Sequence, residues 1–201
     1  MILVMNTIVG FLSRPHGLNV LNSLVNSSQY NLIQVFTHKL NPGSQDPSRS
    51  ERDDYRLFEK VCKQNQISLV SIDSKKDDFV DFPECDFIVE VSWRYMIPYE
   101  VTKKAKIAAF GIHRGKLPEY AGSEPIKQAL SNNEKEIILS SHNLVAEIDK
   151  GGVFETCTFP VNYDTSYSVD QNIQKIRDEI TPLFSKLAIK TLDKFSNKIK
   201  N

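Results

Sequence analysis

Short apolar runs alternate with amphipathic stretches through the first two thirds of the chain. Residues 7–13 (TIVGFLS) form a nearly continuous apolar run, the pattern of a strand buried on both faces. Arg14, Pro15, His16 and Gly17 interrupt it, and Leu18, Leu21, Leu24 and Val25 then fall at helical spacing. Further strands are predicted at 32–37, 67–72, 86–92, 107–110, 136–144 and 152–161. Helices are predicted at 52–64, where Tyr55, Phe58, Val61 and Cys62 make one stripe, at 98–106 and at 124–132. The C-terminal segment, about 168–201, reads as helical from 170 to 199 with a break near Pro182. Residues 40–50 (LNPGSQDPSRS) have the Pro, Ser and Gly content of a surface loop.

Alternating strands and helices predict an α/β fold, a Rossmann-type, mostly parallel sheet with helices on both faces. No repeat or linker divides the chain, so residues 1–201 are read as a single domain. Ligands of such sheets sit beyond the carboxyl ends of the strands. The loops after Ser92, Phe110 and Leu144 are therefore the places for chemistry.

Composition narrows the partners. Lys plus Arg and Asp plus Glu are both 25, so no net charge draws the chain to nucleic acid or to an anionic membrane. The three cysteines, Cys62, Cys85 and Cys157, have neither disulfide nor zinc spacing, which places the chain in a reducing compartment. Residues 1–12 are apolar without a basic lead, and no run has the length of a membrane span. A cytoplasmic protein without metal is expected. Lys186, Lys190, Lys194, Lys198 and Lys200 recur near every fourth position, as on a solvated helix face.

Two residues stand where a crevice is expected. His113 follows the strand at 107–110 and precedes a loop with Pro118 and Gly122, placing a general acid or base near a strand end. A loop histidine bonding a carbonyl fits the same place. Asp149 follows the strand at 136–144 and precedes the pair Gly151-Gly152. It could orient His113 as a third group orients a catalytic base, or simply form a turn.

The segments around these residues resemble the folate-dependent formyltransferases. Residues 111–122 are similar to the family signature Asn-x-His-x-x-x-Leu-Pro-x-Tyr-x-Gly, with His113, Leu117, Pro118, Tyr120 and Gly122 matching. Ser140, His142 and Asp149 match the family's Ser/Thr-x-His followed, after six residues, by Asp. Residues 93–101, opening with Trp93, Arg94, Tyr95 and Met96, resemble the stretch whose backbone lines the pterin pocket. The resemblance implies 10-formyltetrahydrofolate as co-substrate. Its pterin would meet backbone near Trp93 to Met96 and in Val145, Ala146, Glu147 and Ile148. His113 would hold or protonate the oxyanion, and Asp149 would tune it, with His142 and Ser140 in the same set. The family's catalytic Asn falls on Gly111, which has no amide side chain, and the Arg that follows the family's Tyr is Ala121. Loss of one such donor ordinarily costs about two to three orders of magnitude in rate. Either Ser141, His142 or a backbone N–H substitutes, or the enzyme is slow, or the chain binds folate or substrate without turnover.

The resemblance leaves the acceptor open. The purine-pathway transformylases bind a substrate phosphate in a Gly- and Ser-rich loop after the first strand; here that loop holds Arg14, Pro15 and His16. Arg14 and His16 could meet a phosphate there, with Tyr120 on the substrate side. Methionyl-tRNA formyltransferases carry a further β-barrel and a positive face, which this sequence does not show, so a tRNA acceptor is not expected. A small amine is expected, an amino sugar of a nucleotide sugar ahead of glycinamide ribonucleotide. A homodimer is compatible with this reading.

Overall fold

The structure, a computed structural model, describes residues 5–79 and 81–199, with the side chains of 198 and 199 left aside. The chain is an α/β protein and resolves into two compact units, up to Ala109 and from Phe110 onward.

The first unit holds β1 (Asn6–Leu12), α1 (Arg14–Val25), β2 (Tyr30–Thr37), α2 (Tyr55–Gln64), β3 (Ser68–Ser71), β4 (Cys85–Val91) and α3 (Tyr99–Thr102). Its strands pair in parallel in the order β3-β2-β1-β4. Central β1 is covered on both faces, as its unbroken apolar run requires: Ile8, Val9, Phe11 and Leu12 are fully buried. Phe11 stacks on Phe36 at 4.9 Å, and Phe79 and Phe82 pack edge-on and flat around them. Helix α1 begins earlier than its apolar spacing predicts. Pro15 sits in its first turn, where the missing N–H costs nothing, so the apparent interruption is the helix start. Helix α2 begins later than predicted, at Tyr55, because Arg52 is committed elsewhere.

Arg52 is 2% exposed and ties the carboxyl ends of two strands together. Its Nη1 donates to Ser13 Oγ at 2.5 Å and to the His38 carbonyl at 2.6 Å, while Nε and Nη2 grip Asp54 at 2.9 and 2.7 Å. His38, 1% exposed, faces the Ile72 carbonyl through Nδ1 at 2.5 Å and accepts the Arg94 N–H at Nε2, 3.1 Å away. Burial, with help from Arg94, Arg52 and Arg14, pushes the His38 imidazolium down to about 3 against the bond to Ile72.

The second unit holds the end of β5 (Ala105–His113), α4 (Pro125–Ser131), β6 (Glu136–Asn143), β7 (Val153–Pro160), α5 (Val169–Glu179) and α6 (Thr181–Ile199). β5, β6 and β7 pair antiparallel, so the parallel arrangement expected from the alternation belongs to the first unit. The boundary lies inside β5, where no change of composition marks it. A capping box closes the start of α5: Ser168 Oγ accepts the Gln171 N–H and Gln171 Oε1 accepts the Ser168 N–H. The break expected near Pro182 is the junction at Ile180, with Pro182 in the first turn of α6. Phe184, Leu187, Ala188 and Leu192 bury one face of α6. Lys186 and Lys190 are exposed as expected and Lys194 is half-buried; Lys190 and Lys194 each reach Glu155 of β7 at 2.7 Å. Lys200 lies outside the described residues. Burial raises the thiols of Cys62 and Cys85 to about 11 and about 12, so neither is a thiolate near neutrality. No described helix is long and apolar enough to cross a membrane.

Two stability effects follow from the first unit. Arg52→Ala leaves Asp54 without its partner and is expected to lower the unfolding free energy by about 3–5 kcal/mol in urea titrations. His38 resists protonation in the folded chain and accepts it in the unfolded chain below the ordinary value of 6.5. Its contribution is complete above that pH and is lost as pH falls toward about 3, at about 1.4 kcal/mol per unit. Urea midpoints from pH 7 to pH 5 are expected to fall accordingly, less steeply in His38→Gln.

Candidate active site

Strand β5 ends on His113 rather than before it, and its ladder with β6 sets Gly111 opposite His142 and His113 opposite Ser140. Opposed residues of a pair share a face, and side chains alternate along a strand. Gly111, His113, Ser140 and His142 therefore face one side, and Ser141 the other. Ser141 Oγ accordingly meets Thr191 Oγ1 at 2.8 Å and accepts the Glu155 N–H at 3.1 Å. Ser140, on the site face, braces the loop after β5: it donates to the Gly115 carbonyl at 2.9 Å and accepts the Leu117 N–H at 3.2 Å.

Asp149 closes the group from the turn between β6 and β7. Its φ is +55°, an uncommon left-handed conformation for a side-chain-bearing residue. The turn is drawn tight by the Asn143 N–H donating to the Gly152 carbonyl at 3.0 Å. Gly151 is needed for that closure, since a Cβ there would lie 1.8 Å from the Asn143 oxygen. Asp149 Oδ2 lies 3.4 Å from His113 Nδ1 and accepts the Gly122 N–H at 3.0 Å, while Oδ1 lies 3.6 Å from His142 Nε2. All three side chains are no more than 13% exposed.

The ring protons follow from the carbonyls. His113 Nε2 is 2.7 Å from the Tyr120 oxygen and His142 Nδ1 is 3.2 Å from the Asn143 oxygen. A carbonyl only accepts, so each of those nitrogens carries hydrogen. Each ring then turns its other nitrogen toward one carboxylate. A lone pair facing a carboxylate is repulsive, so the contact is favourable when a proton lies between ring and carboxylate. Burial lowers the pKa of His142, opposed by Asp149 and by the Asn143 bond, and His113 nearby adds to the lowering. The arrangement suits one proton passing among three groups.

The remaining candidates divide between the two units. Trp93, Arg94, Tyr95 and Met96 follow β4 in the first unit, after Ser92 at φ +58°. The Trp93 N–H donates to Glu90 Oε1 at 2.8 Å and Tyr95 Oη to the Asp73 carbonyl at 2.7 Å; Met96 is exposed. Arg14 opens α1 at φ +64°, with Nη2 donating to Gln45 Oε1 at 2.8 Å. Burial, then Arg52, pulls its pKa below the ordinary value. His16 is buried on α1. In the second unit Val145, Ala146, Glu147 and Ile148 are exposed in the turn before Asp149. The Tyr120 phenol donates to Glu134 Oε1 at 2.6 Å, so this residue touches the site through its carbonyl.

Neither His38 nor Arg52 lies in the segments that carry the resemblance. The signal that would have marked His38 is its place directly after β2, at the carboxyl end of a parallel strand.

The family model described as formyl transferase matches residues 9–184. Methionyl-tRNA formyltransferase of Lactobacillus delbrueckii subsp. bulgaricus is 26% identical over 199 residues, covering 96% of this chain and 59% of that protein. The chain thus spans less than two thirds of that relative. Phosphoribosylglycinamide formyltransferase from Brucella melitensis superposes with a TM-score of 0.70 at 15% identity, over 96% of each chain. The sugar 3N-formyl transferase WlaRD, solved in the presence of dTDP and 5-N-formyl-THF, gives a TM-score of 0.58 at 18% identity, over 94% of this chain and 64% of that one. At these identities the structural matches speak for the fold.

Gly115 permits the His113–Tyr120 contact. A Cβ there would lie 2.6 Å from Pro125 Cβ, 2.8 Å from the Tyr120 oxygen and 3.1 Å from His113 Nε2. Gly115→Ala is expected to move the carbonyl off the ring, at a cost of about 1–3 kcal/mol in thermal unfolding. Imidazole nitrogen NMR is expected to show His113 changed; an unaltered His113 signal contradicts the contact.

Proposed function

The chain belongs to the formyl transferase family, and on that premise we propose that it moves the formyl group of 10-formyltetrahydrofolate to a primary amine. The observation that supports this reading is the carboxylate of Asp149 set between two buried imidazoles, His113 and His142. In this chemistry the amine nitrogen attacks the formyl carbon, leaving charge on the formyl oxygen. The carbon's bond to folate N10 then breaks, and the proton lost by the amine ends on N10. A site that holds an oxyanion and relays one proton is what the reaction needs. His113 Nε2–H meets the oxyanion once it leaves the Tyr120 carbonyl, and Asp149 takes or returns the proton at Nδ1.

The missing amide at Gly111 bears on the rate. Of the substitutes considered, Ser141 faces away and Ser140 is engaged in bracing the loop. His142 stands directly across from Gly111 on the site face, so it is the residue we assign as replacement donor. The pterin is assigned to the backbone of Trp93 to Met96. No metal enters this reading.

For the acceptor we propose a small amine that carries phosphate, such as an amino sugar of a nucleotide sugar. WlaRD, a sugar 3N-formyl transferase of similar fold, is consistent with that class. Methionyl-tRNA is the second reading, favoured by the relative named above. A folate-binding protein without turnover is the third, motivated by Gly111.

Tetrahydrofolate release from 10-formyltetrahydrofolate, assayed with nucleotide amino sugars, glycinamide ribonucleotide and methionyl-tRNA, separates the three. Turnover with a sugar amine is expected, and turnover with the tRNA alone would replace the acceptor. His113→Ala is expected to lower kcat by about a hundredfold or more. His142→Ala is expected to cost about as much as losing one oxyanion donor, about a hundredfold. No turnover with any acceptor, alongside tight folate binding, would establish the third reading.

A further inference from the structure

The segment assigned to the pterin is held from behind by a residue outside the three segments that carry the family resemblance. His38 is fixed in one neutral tautomer: Nδ1–H is directed at the Ile72 carbonyl, which leaves Nε2 as the acceptor for the Arg94 N–H. Its ring stacks on the Trp93 indole, centroids 4.0 Å apart and planes 23° apart, and the Tyr95 ring meets it edge-on at 5.1 Å. His38 therefore touches three consecutive residues of the segment. Its own carbonyl is anchored by Arg52 at 2.6 Å. The segment leaves β4 through Ser92 at φ +58°, a conformation that surrounding contacts must maintain. It is also tied by the Trp93 N–H to Glu90 Oε1 at 2.8 Å, by the edge-on contact of Phe11 with the Trp93 ring at 5.0 Å, and, at its periphery, by Arg94 Nη2 to the Leu40 carbonyl at 3.0 Å and Tyr95 Oη to the Asp73 carbonyl at 2.7 Å.

This bonding also divides the backbone. The N–H groups of Trp93 and Arg94 are committed to Glu90 and His38. Readout of a pterin edge then falls to the carbonyls and to the amides from Tyr95 onward, and their direction depends on the plane of the Arg94 peptide. We propose that His38 is a positioning residue for folate: by accepting the Arg94 N–H and stacking on Trp93, it sets the backbone that recognises the pterin. This rests on the folate reading above.

Two substitutions separate the two ring nitrogens. Gln places an amide oxygen about where Nε2 lies and keeps the acceptor for Arg94. Asn places an amide N–H about where Nδ1 lies and keeps only the donor to Ile72. Trp93 is the sole tryptophan, so its emission reports both the stacking and folate binding. The experiment measures kcat, KM for 10-formyltetrahydrofolate and Kd for 5-formyltetrahydrofolate by Trp93 fluorescence in wild type, His38→Gln, His38→Asn and His38→Phe. His38→Asn and His38→Phe are expected to raise KM and Kd by about tenfold, one hydrogen bond's worth. Their kcat is expected to stay within about twofold, and His38→Gln to restore affinity. Tyr95→Phe removes a peripheral tie without touching the buried ring; it serves if the His38 variants do not fold and is expected to raise KM with kcat kept. Wild-type affinity in His38→Asn and His38→Phe overturns the proposal, as does equal loss in all three His38 variants, and so does an unchanged KM in Tyr95→Phe when that variant serves. A wild-type chain without any folate response overturns the folate reading itself, a result distinct from these.

Discussion

The second unit's chemistry depends on one carboxylate being held where two imidazoles converge. Asp149 is the only member of that trio not placed by a strand. His113 and His142 come from neighbouring strands and share a face because of the β5–β6 register. A one-residue slip of β6 against β5 would turn His142 to the face opposite His113 and bring Ser141 to the site face. Asp149 instead arrives through a tight turn with a left-handed residue, closed by Gly151 and bonded to the Gly122 N–H. The carboxylate thus joins the loop after β5 to the turn after β6. From that position Asp149 opposes the burial that lowers the pKa of His142.

The first unit solves a related problem with opposite charge. Arg14, Arg52 and Arg94 lie near one another at the carboxyl ends of parallel strands, with Asp54 as their closest counter-charge. Arg52 is satisfied by two carboxylate oxygens, a hydroxyl and a carbonyl, and this is how a guanidinium stays buried. The neutral His38 beside them adds no charge to the group and supplies the one acceptor the Arg94 amide needs. Both units therefore use an imidazole whose tautomer is dictated by a backbone carbonyl.

Much of the architecture was legible in the chain, and for a physical reason. Strands buried on both faces are apolar through their middle, so β1 from Ile8 to Leu12 and β4 from Phe87 to Val89 announce themselves, and the amphipathic stripe of α2 does the same. Ends were less legible: Pro15 looks like a breaker and is a helix start, and β5 runs on to His113 because the loop beyond is shaped by Gly115 and Ser140. The pairing of His113 with Asp149 was legible from motif spacing. The roles of Ser140 and Ser141 were not, since alternation across a ladder decides them only when the register is known. Tyr120 contributes a carbonyl where a phenol was expected, and no side-chain motif reveals that. Arg52 was invisible because a buried charge looks, in a sequence, like ordinary loop polarity, and His38 was marked only by its place after β2.

The most direct test is a crystal structure with 5-formyltetrahydrofolate bound. The expected result has the formyl oxygen within hydrogen-bond distance of His113 or His142, with Asp149 still between the rings and the Tyr120 carbonyl displaced from His113. A folate seated with its formyl group remote from both imidazoles, or both rings keeping their present carbonyl partners in a fully occupied complex, would contradict the assignment of these residues to formyl transfer.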